Sequence, residues 1–200
     1  MTNESANENL WNEDNIGIFA YGSLLTDPGR EIDPHVIHRI QCESPWPVEY
    51  ARRSESRGGA PTLIIHPKGS KVKGAILVLD LKRGEEARVR EWLRVREGRT
   101  SRETVKSMEL NGLKVVLYAD LPANIPDEKL TPEYLADCAL ASVPSLLDRN
   151  GIAYLADNLA KEIRTPLTDA YSSAILRKTR SADLREAIKV AAGMSERPQE

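Results

Sequence analysis

Near its beginning the chain reads Ile16-Gly17-Ile18-Phe19-Ala20-Tyr21-Gly22-Ser23-Leu24. The residues up to Tyr21 are apolar, aromatic or glycine, and β-branched and aromatic side chains are typical of strands. Gly22 and Ser23 interrupt this pattern, and residues of these two types favour tight turns. We therefore predict a buried strand that ends in a turn at Gly22-Ser23, where the backbone can approach a ligand closely.

Further strand patterns follow along the chain. Residues 62–66 and 72–79 are rich in β-branched and other apolar side chains. Two more patterns, 104–110 and 113–119, flank Asn111-Gly112, and Asn-Gly between two strand patterns indicates a β-hairpin.

The segment between the first two strand patterns looks different. Residues 30–58 contain Pro34, Pro45 and Pro47, which interrupt any long helix. We therefore predict irregular structure there.

Helical patterns lie between the strands and after them. Residues 85–97 form an amphipathic pattern that ends near Gly98, with one face made of Val89, Trp92, Leu93 and Arg96. After Thr131, a good N-cap that precedes Pro132, further helices are predicted to the end of the chain.

The predicted order is strands, one inserted helix, a hairpin and then helices, which is typical of an α+β fold. We expect a small mixed β-sheet or barrel over residues 15–125. A C-terminal helical extension over residues 126–195 is expected to pack on it.

The composition is that of an ordinary globular protein. Of 200 residues, 40% are hydrophobic and 29% are charged, with a formal net charge of -2. This charge favours neither nucleic acid nor a membrane as a partner. The polar N-terminus does not resemble a secretory signal, and no apolar run approaches the roughly 20 residues of a membrane-spanning helix. We expect a cytoplasmic protein that is a monomer or a homodimer.

Two segments resemble a known enzyme superfamily. Ile18-Phe19-Ala20-Tyr21-Gly22-Ser23-Leu24-Leu25 resembles the N-terminal motif of the γ-glutamylcyclotransferase-like superfamily. This group includes γ-glutamylcyclotransferases, ChaC-type enzymes that act on glutathione, and γ-glutamylamine cyclotransferases. Trp92-Leu93-Arg94-Val95-Arg96-Glu97-Gly98 resembles the family segment in which a helix delivers the catalytic glutamate. The resemblance covers about residues 16–120 and implies the family's fold.

The resemblance implies a reaction that releases 5-oxoproline from a γ-glutamyl peptide or amine. The substrate's own α-amine attacks its γ-carbonyl, so no cofactor or metal is expected. Glu97 is the candidate catalytic acid and base, and a glutamate with an ordinary pKa of about 4.3 is a poor base at neutral pH. We therefore expect Glu97 to be partly buried with a raised pKa. The substrate-binding candidates are Tyr21, Gly22, Ser23 and Leu24.

Several alternatives stay open at this level. ChaC-type enzymes usually carry Gly-Tyr soon after the catalytic glutamate, whereas this chain has Arg99-Thr100-Ser101-Arg102. Glutathione, a γ-glutamyl dipeptide and a γ-glutamylamine therefore all remain candidate substrates. A non-catalytic small-molecule-binding or scaffold protein that keeps the fold is the alternative function. His35, His38 and Cys42 have a ligand-like spacing but lack a further zinc ligand at similar spacing.

Overall fold

The computed structural model describes residue 12 and residues 14–96, 105–110, 112–118, 123–145 and 149–193. Within these ranges the chain forms a five-stranded sheet, a two-stranded sheet and five α-helices. The α+β prediction is thereby confirmed. Of the two forms that were expected, the described strands make an open mixed sheet and not a closed barrel.

Five strands come first, one helix separates them from a pair of strands, and four helices follow. The strands are β1 (Asn15–Ala20), β2 (Val36–Glu43), β3 (Val48–Ser54), β4 (Ala60–Ile65), β5 (Lys73–Lys82), β6 (Val105–Leu110) and β7 (Leu113–Tyr118). The helices are α1 (Glu86–Arg96), α2 (Pro132–Ser142), α3 (Gly151–Ala160), α4 (Thr168–Thr179) and α5 (Leu184–Ala191).

β1 is the central strand of the larger sheet, whose order is β2-β5-β1-β7-β6. It pairs antiparallel with β5 and parallel with β7, so that Ile18 lies opposite both Leu77 and Val116. Gly17 allows these neighbours to come close, because a Cβ there would lie 2.7 Å from Ile76 Cγ2. The turn that follows β1 therefore starts from the interior of the sheet.

α1 covers one part of this sheet. Val89 and Leu93 on its inner face are fully buried, in one apolar cluster with Ile18, Leu79 and Val116 of the sheet. Burial of such side chains is worth roughly 1.5–3 kcal/mol each. Two residues of the predicted helical face, Val89 and Leu93, are thus buried, whereas Trp92 and Arg96 are partly exposed.

The contacts between residues divide the chain into two compact units. The first comprises the described residues within Met1–Cys42 and Gly74–Ala119, and the second those within Glu43–Lys73 and Asp120–Glu200. The larger sheet and α1 belong to the first unit. The β3–β4 hairpin belongs to the second unit together with α2 to α5. The predicted domain boundary near residue 125 stays a prediction.

The prediction that residues 30–58 are irregular is wrong. They contain β2 and β3, and the prolines lie just outside them: Pro34 precedes β2, while Pro45 and Pro47 lie between the two strands. Proline is excluded from helix interiors but is tolerated where a strand begins or ends. The prolines therefore mark the strand boundaries and do not indicate a lack of structure.

The second unit has its own core. α2 and α3 pack against β4, and Tyr50 of β3 lies edge-on to the rings of Tyr154 and Tyr171, at centroid distances of 6.3 and 5.3 Å. Thr131 caps α2 by accepting from the backbone N–H of Tyr134, as predicted. Among the described helices, none combines the length and the apolar character needed to span a membrane.

Candidate functional site

The turn after β1 is a short 3-10 helix, Gly22–Leu25. Tyr21 is still extended, with φ -145° and ψ 168°, and Gly22 then takes φ +58°. Such a left-handed backbone favours glycine, because other residues meet a steric cost there. Leu24 is only 6% exposed and lies in the apolar cluster of the first unit. A buried leucine and a left-handed glycine together hold the turn at the end of the sheet.

Hydrogen bonds to its carbonyl groups also stabilise the turn. The Ser23 carbonyl accepts from the backbone N–H groups of Thr26, at 3.3 Å, and Asp27, at 3.0 Å. Arg39 donates from Nη1 to the Leu25 carbonyl at 2.8 Å. The carbonyl groups of Ser23 and Leu25 are therefore bound within the first unit, which holds the turn in place.

Arg96, the last residue of α1, connects the helix to this turn. Its Nη2 donates to the Asp27 carbonyl at 2.7 Å and to Ser23 Oγ at 3.4 Å, and its Nε donates to the same carbonyl at 3.2 Å. Gly29 makes room for the arginine stem: its φ is +95°, and a Cβ there would lie 3.0 Å from Arg96 Cγ. The end of α1 is therefore held beside the strand-end turn.

A cavity of about 160 Å³ lies next to these contacts. We call it the 28–32/92–96 cavity, after the two segments that form it. Of its lining residues, Ile32 is fully buried, whereas Val95 is 56% exposed. Its lining comprises Pro28, Gly29, Arg30, Glu31, Ile32, Trp92, Val95 and Arg96.

Trp92, one wall of this cavity, is held by stacking. The His35 ring stacks on it, with centroids 5.0 Å apart and an interplanar angle of 19°. His35 Nδ1 in turn lies 2.9 Å from Asp80 Oδ1. The Arg88 guanidinium lies 4.3 Å from the Trp92 ring centroid, within cation–π range. These contacts fix the orientation of the indole.

The predicted substrate-binding residues form one local group. Gly22, Ser23 and Leu24 lie in the turn, Tyr21 directly precedes it, and the first unit holds all four. Glu97, the predicted catalytic residue, lies outside the described residues. The expectation that its pKa is raised therefore stays a prediction. The residue that precedes it, Arg96, is the one that bonds to Ser23.

The contact between Ser23 and Arg96, and the cavity beside it, do not follow from local sequence patterns. Arg96 was assigned to the same helical face as Trp92, and four-residue spacing does bring two side chains to one face. The spacing of Trp92 and Arg96 is therefore the sequence signal that both side chains contribute to one site. The partner segment 28–32 carries only a turn signal, Asp27-Pro28-Gly29.

Two other groups of polar side chains have different roles. His35 stacks on Trp92, and within the described residues no group of three or more His, Cys, Asp or Glu is arranged to hold a metal ion. Arg53 and Arg57 lie in the second unit: Arg53 donates from Nε to the Gly59 carbonyl at 3.0 Å, and Arg57 lies 4.7 Å from the Tyr154 ring centroid. Both contacts lie within the second unit.

Comparisons of the chain with protein-family models, with curated proteins and with solved structures found no match. The turn after β1, the end of α1 that is bound to it, and the 28–32/92–96 cavity are therefore the features from which a function is argued.

Proposed function

We propose that the protein is a cofactor-independent enzyme of the γ-glutamylcyclotransferase type. It converts a γ-glutamyl peptide or amine into 5-oxoproline and a free amine. The finer fold assignment, a γ-glutamylcyclotransferase-like domain, and a cytoplasmic location belong to the same proposal.

The reaction needs only proton transfers and positioning. The substrate's α-ammonium loses a proton, its nitrogen attacks the γ-carbonyl carbon, and a lactam C–N bond forms. The bond from the γ-carbon to the leaving nitrogen then breaks, while that nitrogen gains a proton and the ring nitrogen loses its second one. Holding the tethered groups in a reactive conformer can supply roughly 7–11 kcal/mol of the barrier reduction.

In this proposal the two halves of the site divide the work. Glu97 accepts the proton from the α-ammonium and delivers one to the leaving nitrogen. Backbone N–H groups of Gly22, Ser23 and Leu24, with the Tyr21 side chain beside them, bind the γ-glutamyl part. One N–H donor aimed at the developing negative charge of the transition state is typically worth about 3–4 kcal/mol.

The observation that carries the proposal is the bond between the end of α1 and the turn. Arg96 donates to Ser23 Oγ and to the Asp27 carbonyl, so the residue that directly precedes Glu97 is anchored at the predicted binding turn. Two motifs that are far apart in sequence thus meet at one place in the first unit.

The direct test measures 5-oxoproline release from a panel of γ-glutamyl dipeptides, γ-glutamylamines and glutathione. We expect release by the wild-type protein and a loss of about 10²- to 10⁴-fold in kcat for Glu97→Gln, with KM little changed, because the carboxylate moves protons but the turn binds substrate. Glu91→Gln is the matched control, since Glu91 is an exposed glutamate of α1 that pairs with Arg94. It should retain wild-type activity.

Two results would count against the proposal. A folded wild-type protein that releases no 5-oxoproline from any member of the panel is not this enzyme. Binding of a γ-glutamyl dipeptide without turnover would then favour the non-catalytic binding protein. Equal kcat values for Glu97→Gln and Glu91→Gln would remove Glu97 from its catalytic role.

A further inference from the structure

We propose that the 28–32/92–96 cavity receives the apolar side chain of the amino acid that leaves from a γ-glutamyl dipeptide. The preferred substrates are then γ-glutamyl derivatives of residues such as leucine, isoleucine, methionine or phenylalanine. This inference rests on the proposed cyclotransferase function and names its substrate class.

The size of the cavity sets the size of its occupant. Its volume is about 160 Å³. Apolar cavities of roughly 150 Å³ accept a benzene molecule. A side chain of four to seven carbon or sulfur atoms fills such a space, whereas the hydrogen of glycine or the methyl of alanine leaves most of it empty.

The chemistry of the lining favours an apolar occupant. Pro28, Ile32, Trp92 and Val95 give it a hydrophobic surface. Val95 is 56% exposed and, with Ile37, is one of the two large hydrophobic residues exposed within the described part of the chain. An apolar side chain bound at the cavity would cover Val95, and removing such area from water is worth about 25 cal/mol per Å².

The cavity is built before a ligand arrives. Stacking of His35 and the Arg88 guanidinium fix the Trp92 ring, and the Asp80 carboxylate holds His35 in turn. A wall that is already ordered does not have to be immobilised on binding, which reduces the cost of association.

The charges around the cavity favour an amino acid over a simple amine as the leaving group. Two arginines, Arg30 and Arg96, and one glutamate, Glu31, line it, so its ionic side chains carry one net positive charge. The leaving amino acid has a carboxylate, which such a lining attracts, and a leaving alkylamine has none.

Arg96 places the cavity beside the proposed binding turn. The same side chain that lines the cavity donates to Ser23 Oγ. A dipeptide with its γ-glutamyl part at the turn can therefore extend its second residue along Arg96 into the cavity. The two parts of the substrate occupy neighbouring parts of the first unit.

The experiment compares kcat/KM for γ-glutamyl-leucine, γ-glutamyl-phenylalanine, γ-glutamyl-glycine and γ-glutamyl-isoamylamine, which is the leucine compound without its carboxylate. We expect both apolar dipeptides to exceed γ-glutamyl-glycine by at least about tenfold, since even one methylene in an apolar pocket is worth roughly 10- to 200-fold. The isoamylamine compound should lie below γ-glutamyl-leucine. Turnover of all four at similar kcat/KM would overturn the leaving-group proposal and leave the cyclotransferase function intact.

Two variants locate the preference at the cavity. Val95→Asp should reduce the leucine-to-glycine ratio of kcat/KM at least about fivefold, and Val95→Thr, which keeps the shape of valine, should reduce it less. Ile37→Asp is the matched control, because Ile37 is 46% exposed and is not among the residues that line the cavity. An unchanged ratio in folded Val95→Asp would contradict the proposal.

A binding measurement separates this inference from the catalytic one. Free leucine, added to ¹⁵N-labelled wild-type protein, should shift the amide resonances of residues 29–32 and 92–96, and free glycine should not. If leucine binds there while no 5-oxoproline forms, the catalytic proposal fails but the cavity assignment stands. If 5-oxoproline forms but leucine leaves these resonances unchanged, the cavity assignment fails.

Discussion

Among single residues, Glu49 combines complete burial with an ionisable side chain. It is 0% exposed in the second unit. Its Oε1 accepts from the Tyr50 N–H at 2.8 Å and the Thr165 hydroxyl at 2.5 Å, and its Oε2 accepts from the Leu167 N–H at 3.3 Å. Burial raises the pKa of Glu49, and these donors counter only part of that increase. The carboxylate ties β3 to the segment that leads into α4.

The raised pKa of Glu49 predicts how stability depends on pH. Because the folded-state pKa lies above the unfolded-state value, the folded chain binds the proton more tightly between the two values. The Glu49 contribution to the free energy of unfolding therefore falls as pH rises through that interval, from the ordinary pKa of about 4.3 upward. Glu49→Gln lacks this contribution. The free energy of unfolding of the variant, measured by urea denaturation at several pH values, should therefore rise relative to that of wild type as pH rises.

An exposed glutamate of the same unit provides the control for Glu49. Glu133 lies in the first turn of α2, and its side chain is exposed where it pairs with Arg177. Glu133→Gln should retain the wild-type pH dependence across the same interval. If Glu49→Gln and Glu133→Gln follow the same pH curve, Glu49 does not titrate as a buried group.

At the scale of an element, β1 depends on the absence of a side chain at Gly17. A Cβ there would lie 2.7 Å from Ile76 Cγ2 and 2.9 Å from Leu113 Cδ2. Gly17→Ala should therefore reduce the free energy of unfolding by ~1–3 kcal/mol through overpacking, as measured by urea denaturation.

Gly84→Ala is the matched control for Gly17→Ala. Nothing lies within 4 Å of a Cβ built at Gly84, and its φ is not positive. We expect this substitution to change the free energy of unfolding by less than ~0.5 kcal/mol. Equal effects at both positions would mean that the packing of β1 against its neighbours tolerates a methyl group.

The elements themselves were largely predictable, because most depend on local patterns. β1, β4, β5, the β6–β7 pair and the helices follow from apolar periodicity and turn residues. β2 was missed because its alternation of Val36, His38 and Ile40 with more exposed residues was outweighed by nearby prolines. The alternation within a segment indicates a strand, and a proline near that segment only marks where the strand begins or ends.

The candidate site was predictable only in part. The turn at Gly22-Ser23 has a local pattern, and the structure shows a turn there. The contact of Arg96 with Ser23 joins residues 73 positions apart, and no local periodicity encodes a pairing at that separation. The cavity depends on the same long-range packing, so it required the three-dimensional structure.

For the whole molecule, the division into two units predicts the result of a truncation. β4 packs against α2 and α3, and the Tyr154 hydroxyl of α3 accepts from the Leu63 N–H at 3.4 Å. Removal of residues 126–200 takes these helices from the β3–β4 hairpin, and an isolated two-stranded hairpin is marginally stable at best in water. Limited proteolysis should therefore cut the truncated chain within residues 43–73 much faster than the full chain.

The opposite result of this truncation is equally informative. If residues 1–125 resist proteolysis as well as the full chain does, then the predicted boundary near residue 125 separates two autonomous domains. In that case the β3–β4 hairpin is stabilised without α2 and α3.

The central position of β1 also has a consequence for biosynthesis. Ile18 leaves the ribosome long before either of its sheet partners, Leu77 and Val116. At roughly 5–20 residues per second, the second partner follows about 5–20 seconds later. During that interval β1 is an apolar strand with an unsatisfied edge, which is the kind of segment that pairs with other chains. We therefore expect the exposure of the β1 segment to other chains to end only when β7 has been made.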